Sequence, residues 1–464
     1  MFNKYLLVVN NLNVIPILLS ILFFLIFSFQ TINRHLNFNS HAFDLGIYTQ
    51  VIYLYSQGQL AYSSLKHMIL LADHFGPILI LFAPIYKLFP SAITLLIIQA
   101  LFVSLSSIPI YLIARDRLKS TLLSLLITLG FLTSVGITSA IIFDFHLATI
   151  SVLPLSLILY CWCFKKWRAY FIFLVLSVLF KEDVPLLLLG LGIFELFQKQ
   201  IRVGSLTMIF SLISFYLIKV NLMEFLWHGG ASAYISISIF PLDSPVDLFL
   251  LFLTRPMLFL DQIFNSPIKI DTLNALLRQF GYLPVLSPLA WITAFPHLYF
   301  RFTSNYWQSW STLYHHNASL IPFLTVSTVL AIEKFKISKR AVILLLLFSI
   351  FTNGLSPNSY IWSTFSLNLQ SSNRYSYLNH ALANIPPNTP VSAQSPIVPH
   401  LANREKIYLF PEIYDAEYIV LDTSLSTYPM GNDELNQKIQ ILKESPFWKI
   451  IKKDKSLIIF KRIT

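Results

Sequence analysis

Charge is scarce in this sequence: 12% of its 464 residues are Asp, Glu, Lys or Arg, about half the share found in soluble domains. That scarcity excludes an ordinary soluble enzyme. With 55% hydrophobic residues and a mean hydropathy of +0.65, it indicates a polytopic membrane protein. Cysteine is nearly absent. Cys161 and Cys163 lie two apart in an apolar segment, point to different helix faces and read as packing residues, so no disulfide framework is implied. No phosphate loop, dinucleotide glycine pattern, serine elbow or zinc signature is present. The net charge of +11 does not mark a nucleic-acid partner. Much of it sits in short basic runs between apolar segments, where Lys and Arg orient a chain toward the cytoplasmic side.

What is plentiful is apolar sequence of spanning length or nearly so, at residues 12–30, 92–114, 121–142, 147–164, 168–180, 184–198, 203–222, 317–332 and 341–352. A further stretch at 272–300, broken by Pro284 and Pro288, reads as two crossings with a tight turn. The first run lacks a small-residue cleavage site and reads as a retained span. Basic runs at 115–119, 165–168, 199–202 and 333–340 form the cytoplasmic loops. The run at 75–89 is short and holds Pro77, Pro84 and Lys87. Counting it as a span would move 115–119 outside, so it is expected to be interfacial or re-entrant. The expectation is an α-helical polytopic membrane protein of about 11 transmembrane helices, with its N-terminus inside and its C-terminus outside. In the hairpin 168–180/184–198, thirteen residues rise only about 20 Å against a hydrocarbon core of about 30 Å. Its apex, Lys181-Glu182-Asp183, is therefore expected below the outer surface, in a polar cavity open to the exterior.

Two segments are not membrane-like. Residues 31–91 form a long first external loop within a transmembrane domain 1–352. Residues 353–464 read as a small extracytoplasmic α/β domain. In it, 391–394, 407–410 and 418–422 are expected strands and 433–444 a helix with Asp433 as N-cap. Two last strands flank the turn Asp454-Lys455-Ser456.

Five clusters of ionisable residues fall on the outer side of this topology: Asp44, Asp73-His74, Asp144 with His146, Lys181-Glu182-Asp183 and His315-His316. Charge at membrane depth is expensive and usually kept for a task. Asp44 suits a general base or metal ligand, or else a helix cap in an exposed loop. Beside it, Gly46 allows a close backbone approach or a turn, and Gln50 follows about one and a half turns on. Asp73 is equally placed to favour a helix N-terminus. Three carboxylates and two imidazoles are able to hold Mg²⁺ or Mn²⁺, with Asp44, Asp73 and Asp144 as ligands, or to bind a sugar by hydrogen bonds. Lys181 suits either an internal ion pair with Glu182 or Asp183 or the phosphate of a lipid head group. Arg404 suits either a phosphate or the domain surface.

FDLGIYTQ at 43–50, ADHFGPILILFAPIYKLFP at 72–90, FDFH at 143–146, KED at 181–183 and PHLANR at 399–404 resemble a family of uncharacterised prokaryotic multi-pass membrane proteins of unknown function. The architecture also resembles the GT-C superfamily of membrane glycosyltransferases, which take a sugar from a polyprenyl-phosphate donor on the non-cytoplasmic face. Such enzymes place an acid in a long first external loop; Asp44 matches that position and Asp73 a second. The acid pair common in that loop is absent beside Asp44. The resemblance implies a glycosyltransferase of the cytoplasmic membrane with a lipid-linked sugar donor and a glycan, lipid or protein acceptor. Asp44, Asp73, His74, Asp144 and His146 would then be catalytic. Lys181, Glu182, Asp183, His315, His316 and Arg404 would bind substrate or its phosphate. The rival readings are a transporter or lipid translocator using Lys181-Glu182-Asp183, and a non-catalytic envelope-assembly protein. The sequence shows no paired, inverted halves of the kind common in transporters, and its long external loop and soluble tail suit an enzyme better.

Overall fold

The computed structural model describes residues 14–227, 247, 250–251, 254–353 and 372–463. Among these, four helices are long and apolar enough to cross a membrane: α1 (Val14–Leu36), α5 (Ala92–Leu118), α11 (Ile201–Leu226) and α15 (His315–Phe335). Even the shortest, at 21 residues, rises about 30 Å. The pair α6 (Thr121–Leu132) and α7 (Val135–Phe143), bent by 41° at its break, makes a fifth if counted as one span.

The remaining apolar runs give shorter helices, so length alone does not reach the expected count of about 11 spans. Helices α8 (Leu147–Cys163), α9 (Trp167–Ser177) and α10 (Val184–Phe197) each fall below 18 residues. After α12 (Pro256–Phe264), the stretch at 272–300 is broken as expected, into α13 (Pro267–Arg278), a 3₁₀ turn at Leu283–Leu286 and α14 (Pro288–Phe302). The short helices are apolar because they pack against one another. At Gly190, on α10, an added Cβ would lie 2.4 Å from the Ile292 carbonyl oxygen, so only glycine lets α10 and α14 meet backbone to backbone. Helix α4 (Leu79–Leu88) spans ten residues, about 15 Å, half a hydrocarbon core. It buries Leu79, Phe82 and Tyr86 and exposes Ile80, Leu81, Ile85 and Leu88, the pattern of a helix lying along an interface.

One layer, at one end of the helical bundle, is built from the first loop and the tail together. After α1 the chain makes a π-helical turn at Ala42–Gly46, then α2 (Ile47–Ser56), the hairpin β1 (Tyr62–Ser63) and β2 (Met68–Ile69), and the single turn α3 (Leu70–Asp73). In the tail, β3 (Val391–Ala393), β4 (Ile407–Leu409), β5 (Tyr418–Asp422), β6 (Trp448–Asp454) and β7 (Leu457–Arg462) form one sheet of order β4-β3-β5-β7-β6. The first three are parallel and the last two antiparallel. These strands fall where the sequence pattern puts them. The tail helix begins one residue early, at Asn432, and Gly431 stands at its N-cap with no side-chain bond. Asp433 lies inside the first turn, where its charge favours the helix N-terminus without capping it. The polar run beginning at 353 lies outside the described residues from 354 to 371.

The loop and the tail share one apolar core. Leu45, Tyr48 and Val51 from the loop pack in a single cluster with Val391, Ile397, Val398 and Ile459 from the tail. Gln50, wholly buried, stitches them: its amide donates to Ser64 Oγ at 2.7 Å and to the Glu405 carbonyl at 2.9 Å. Ser64 Oγ in turn donates to the Ile407 carbonyl at 2.7 Å. Site residues carried by the loop are thereby held against both the tail and the helical bundle.

Candidate active site

Asp44 sits inside the π-helical turn with φ 68° and ψ −90°. That is the strained region of the rare γ-turn, and such strain persists only where surrounding structure imposes it. The neighbours that impose it are visible. A Cβ at Gly46 would lie 2.9 Å from Val398 Cγ1, so the turn is pressed against the tail. Gly46 itself has an ordinary helical φ of −62°, and its small size serves close approach rather than a turn.

Two imidazoles face the Asp44 carboxylate. His146 Nε2 lies 4.0 Å from Oδ1 and His315 Nδ1 lies 3.9 Å from Oδ2, both beyond hydrogen-bond reach. Their rings stack with centroids 3.3 Å apart. His146 caps α8, and its Nδ1 accepts from the Ala148 amide at 3.1 Å. The ring proton therefore belongs on Nε2, which has no partner among the described residues and points at Asp44. Neither His315 nitrogen has a hydrogen-bond partner either. His316 stands 4.1 Å from the His315 ring, half-buried.

The network continues without a gap. The His74 ring stands 5.2 Å from that of His146. Its Nδ1 is 3.4 Å from Glu182 Oε1, and the other Glu182 oxygen accepts from the Phe75 amide at 3.1 Å. Asp73 pairs with Lys66 at 3.1 Å and lies 3.9 Å from His74. It closes α3 rather than capping the next helix. Lys181 Nζ meets Asp183 Oδ2 at 3.0 Å, and His297 Nε2 stands 3.5 Å from the same oxygen. All five clusters foreseen from the sequence are thus joined.

Asp144 is at the edge, paired with a cation, yet burial still pushes its carboxyl up to about 8, which Arg34 only partly offsets. Arg34, at the end of α1, meets its Oδ1 at 3.1 Å, and the His41 amide donates to Oδ2 at 3.1 Å. Gln99 fixes the segment by donating to the Asp144 carbonyl at 3.0 Å and accepting from the His146 amide at 2.8 Å. Arg404 lies apart from the network. It is buried, not at the surface, and its guanidinium donates to the carbonyls of Leu401 and Thr389. Its Nε and Nη1 bond tail backbone, so its observed role is to fix the tail.

The electrostatics separate these acids. Burial pushes the Asp44 carboxyl up to about 6, opposed by the charge of His74. Burial also pushes Asp73 upward, but His74 and Lys66 outweigh it and hold it below its ordinary value. Burial disfavours the charged form of His74, yet Asp73 and Glu182 overcome this and raise its pKa. The pair Asp73 and His74 is therefore held toward its charged forms, while burial pushes Asp44 toward its neutral form.

Asp44, Asp73 and Asp144 do not converge as a ligand set. Among the described residues no group of three or more His, Cys, Asp or Glu is arranged to hold a metal ion. Asp73 is turned to Lys66 and Asp144 to Arg34, each carboxylate compensated by a side-chain cation. The sequence reading missed Arg34, Lys66 and His297. His297 and Arg301 are a signal that was available: two cationic residue types four apart in an apolar helix share a face. Both are buried, and Arg301 bonds Asn317 Oδ1 at 3.1 Å beside the His315–His316 turn.

No curated protein matches the chain. Among solved structures, the crystal structure of ArnT from Cupriavidus metallidurans bound to undecaprenyl phosphate matches with a TM-score of 0.56 at 13% identity. The match covers 97% of this chain and 98% of that one. At that identity the likeness is one of fold, over the whole length of both chains. The family model of predicted membrane proteins designated DUF2079 matches residues 34–459, which takes in every cluster of the network, and the chain belongs to that family.

Proposed function

We propose that the protein is a GT-C-type membrane glycosyltransferase, moving a sugar from a polyprenyl-phosphate donor to a cell-envelope acceptor at the extracytoplasmic face. The observation that carries this reading is Asp44: a strained carboxylate, pushed up to about 6, held between two imidazoles without bonding to either. A general base works best when its pKa lies near the operating pH. The fold shared with ArnT, whose structure holds undecaprenyl phosphate, supports a lipid-linked donor.

The chemistry follows from the residues. An acceptor hydroxyl enters the gap beside Asp44 and gives up its proton to the carboxylate. Its oxygen bonds the anomeric carbon as the bond from that carbon to the phosphate oxygen breaks. The electron pair leaves with the polyprenyl phosphate. The transition state has oxocarbenium character and gains from the nearby carboxylate. Lys181 keeps one N–H on Asp183, and an ammonium has two more to offer a departing phosphate. His74 and Asp73 form the charged rim, and Asp144 with Arg34 sets the loop that carries Asp44.

The test is a gene deletion complemented with wild type or Asp44→Asn, followed by mass spectrometry of envelope glycans and lipid-linked sugars. The expected result is one missing glycan and an accumulated lipid-linked sugar, restored by wild type alone. Full restoration by the variant, expressed at the same level, would end the assignment.

A further inference from the structure

We propose that an open groove between the first-loop hairpin and the tail sheet is a carbohydrate site that holds the acceptor glycan. The choice of ligand rests on the transfer reaction proposed above. The groove has a volume of about 570 Å³ and is walled by Tyr62, Tyr408, Tyr414 and His67, with Glu405 and Asp415 at its rim. That is within the range of ligand sites, and Tyr supplies rigid contact area at low entropic cost. Tyr62 and Tyr414 are 49% and 61% exposed, so the rings present free faces rather than packing inward. Tyr414 stacks aslant on Tyr408 at 5.1 Å and edge-on to His67 at 5.1 Å, forming one continuous aromatic wall.

Backbone strain marks the same place. His67 and Tyr414, whose rings touch, have φ of 55° and 41°. For tyrosine the left-handed region is uncommon, and here it turns the Tyr414 ring toward that of His67. The polar groups are held in advance: His67 on Glu412 at 3.0 Å, Gln59 on Glu405 at 2.8 Å, and both Lys406 and Tyr408 on Asp415. Carboxylates and amides beside exposed rings suit a sugar, which offers an apolar C–H face to the ring and hydroxyls to the rim. Of the charged residues lining the groove, Glu405 and Asp415 outnumber Lys406, whose ammonium is held on Asp415, and this disfavours a phosphate-bearing ligand.

The hairpin links this groove to the reaction centre. Lys66 turns inward to Asp73, while the next residue, His67, turns outward to Glu412. A glycan lying on the aromatic wall is therefore one hairpin turn from the charged rim of the network. Groove and site share a rigid support through Gln50 and Ser64.

The experiment applies the purified full chain, in lipid nanodiscs, to a printed array of prokaryotic cell-surface oligosaccharides. Wild type is compared with Tyr62→Ala/Tyr414→Ala and Tyr62→Phe/Tyr414→Phe. Wild type captures a glycan; the alanine pair weakens capture about tenfold or more, since stacking faces dominate such contacts. The phenylalanine pair, which keeps both rings, retains capture and shows that the fold is intact. No capture by wild type, or equal capture by the alanine pair, overturns the proposal. Binding is read without turnover, so failure here leaves the Asp44 assignment standing, and an active Asp44→Asn leaves this result untouched.

Discussion

Asp44 and Asp144 contribute to one network from neighbouring segments, yet their surroundings differ in kind. Asp144 is 2% exposed and paired with Arg34 and the His41 amide, which only partly offset the burial that pushes it up to about 8. The pair joins the end of α1 to the end of α7. Asp44 is 16% exposed at its side chain, strained in its backbone, and stands about 4 Å from two imidazoles. A satisfied acid stabilises a structure; an acid kept short of satisfaction retains free energy that a substrate proton can release. The same residue type therefore serves scaffold in one place and chemistry in the other.

The sharpest way to break this comparison is to remove each acid's charge. Asp44→Asn, which tolerates the left-handed backbone, should lower glycosyl transfer by about 10²–10⁴-fold, measured as product formed in nanodiscs. Next, Arg34→Ala should destabilise the fold by roughly 3–5 kcal/mol, the cost of stranding a buried partner, read as a lower melting temperature. Replacing both Arg34 and Asp144 by leucine should cost less than Arg34→Ala. Asp44→Asn should melt no lower than wild type at neutral pH. The sign follows from the raised pKa of Asp44. Its ionised form is disfavoured in the folded state, so stability falls as pH rises through about 4 to about 6 and is level above.

A third test is the pH profile of transfer. A base with a pKa of about 6 should give a rate that is flat above that value and falls about tenfold per unit below it. A profile without that limb would remove Asp44 as the base. The smallest effect is expected from Lys66→Ala. The Lys66–Asp73 pair is partly solvated, 30% exposed on the lysine side, and such pairs contribute about 1 kcal/mol or less. Transfer should drop by a few fold with no change in melting temperature.

Much of the outer layer was legible in the sequence because its signals are local. A short apolar run placed β5, the turn Asp454-Lys455-Ser456 placed the final hairpin, and the short proline-bearing run at 75–89 pointed to a helix too short to cross. The span count was less legible. Apolarity reports burial, and a helix buried among other helices reads like one buried in lipid; α10 is of that sort, whereas α9 leaves Ile172 and Val175 exposed. The five ionisable clusters could be picked out singly because charge stands out in an apolar chain. Their partners Arg34, His297 and Lys66 could not, since a lone cation near the end of an apolar run is ordinary. Arg404 illustrates the converse: its type suits phosphate, but its use depends on the two carbonyls that the fold turned toward it.

The sequence by itself determined that the chain is a membrane protein, where its polar clusters lie along it, and the strands of its tail, because hydropathy, charge and period act through neighbours in the chain. Only the tertiary structure decided that residues as distant as Asp44 and His315 stand 3.9 Å apart, and that one acid is compensated while another is not. Those outcomes depend on the close packing of segments far apart in the chain, and on a backbone angle at Asp44 that packing, not the residue, imposes.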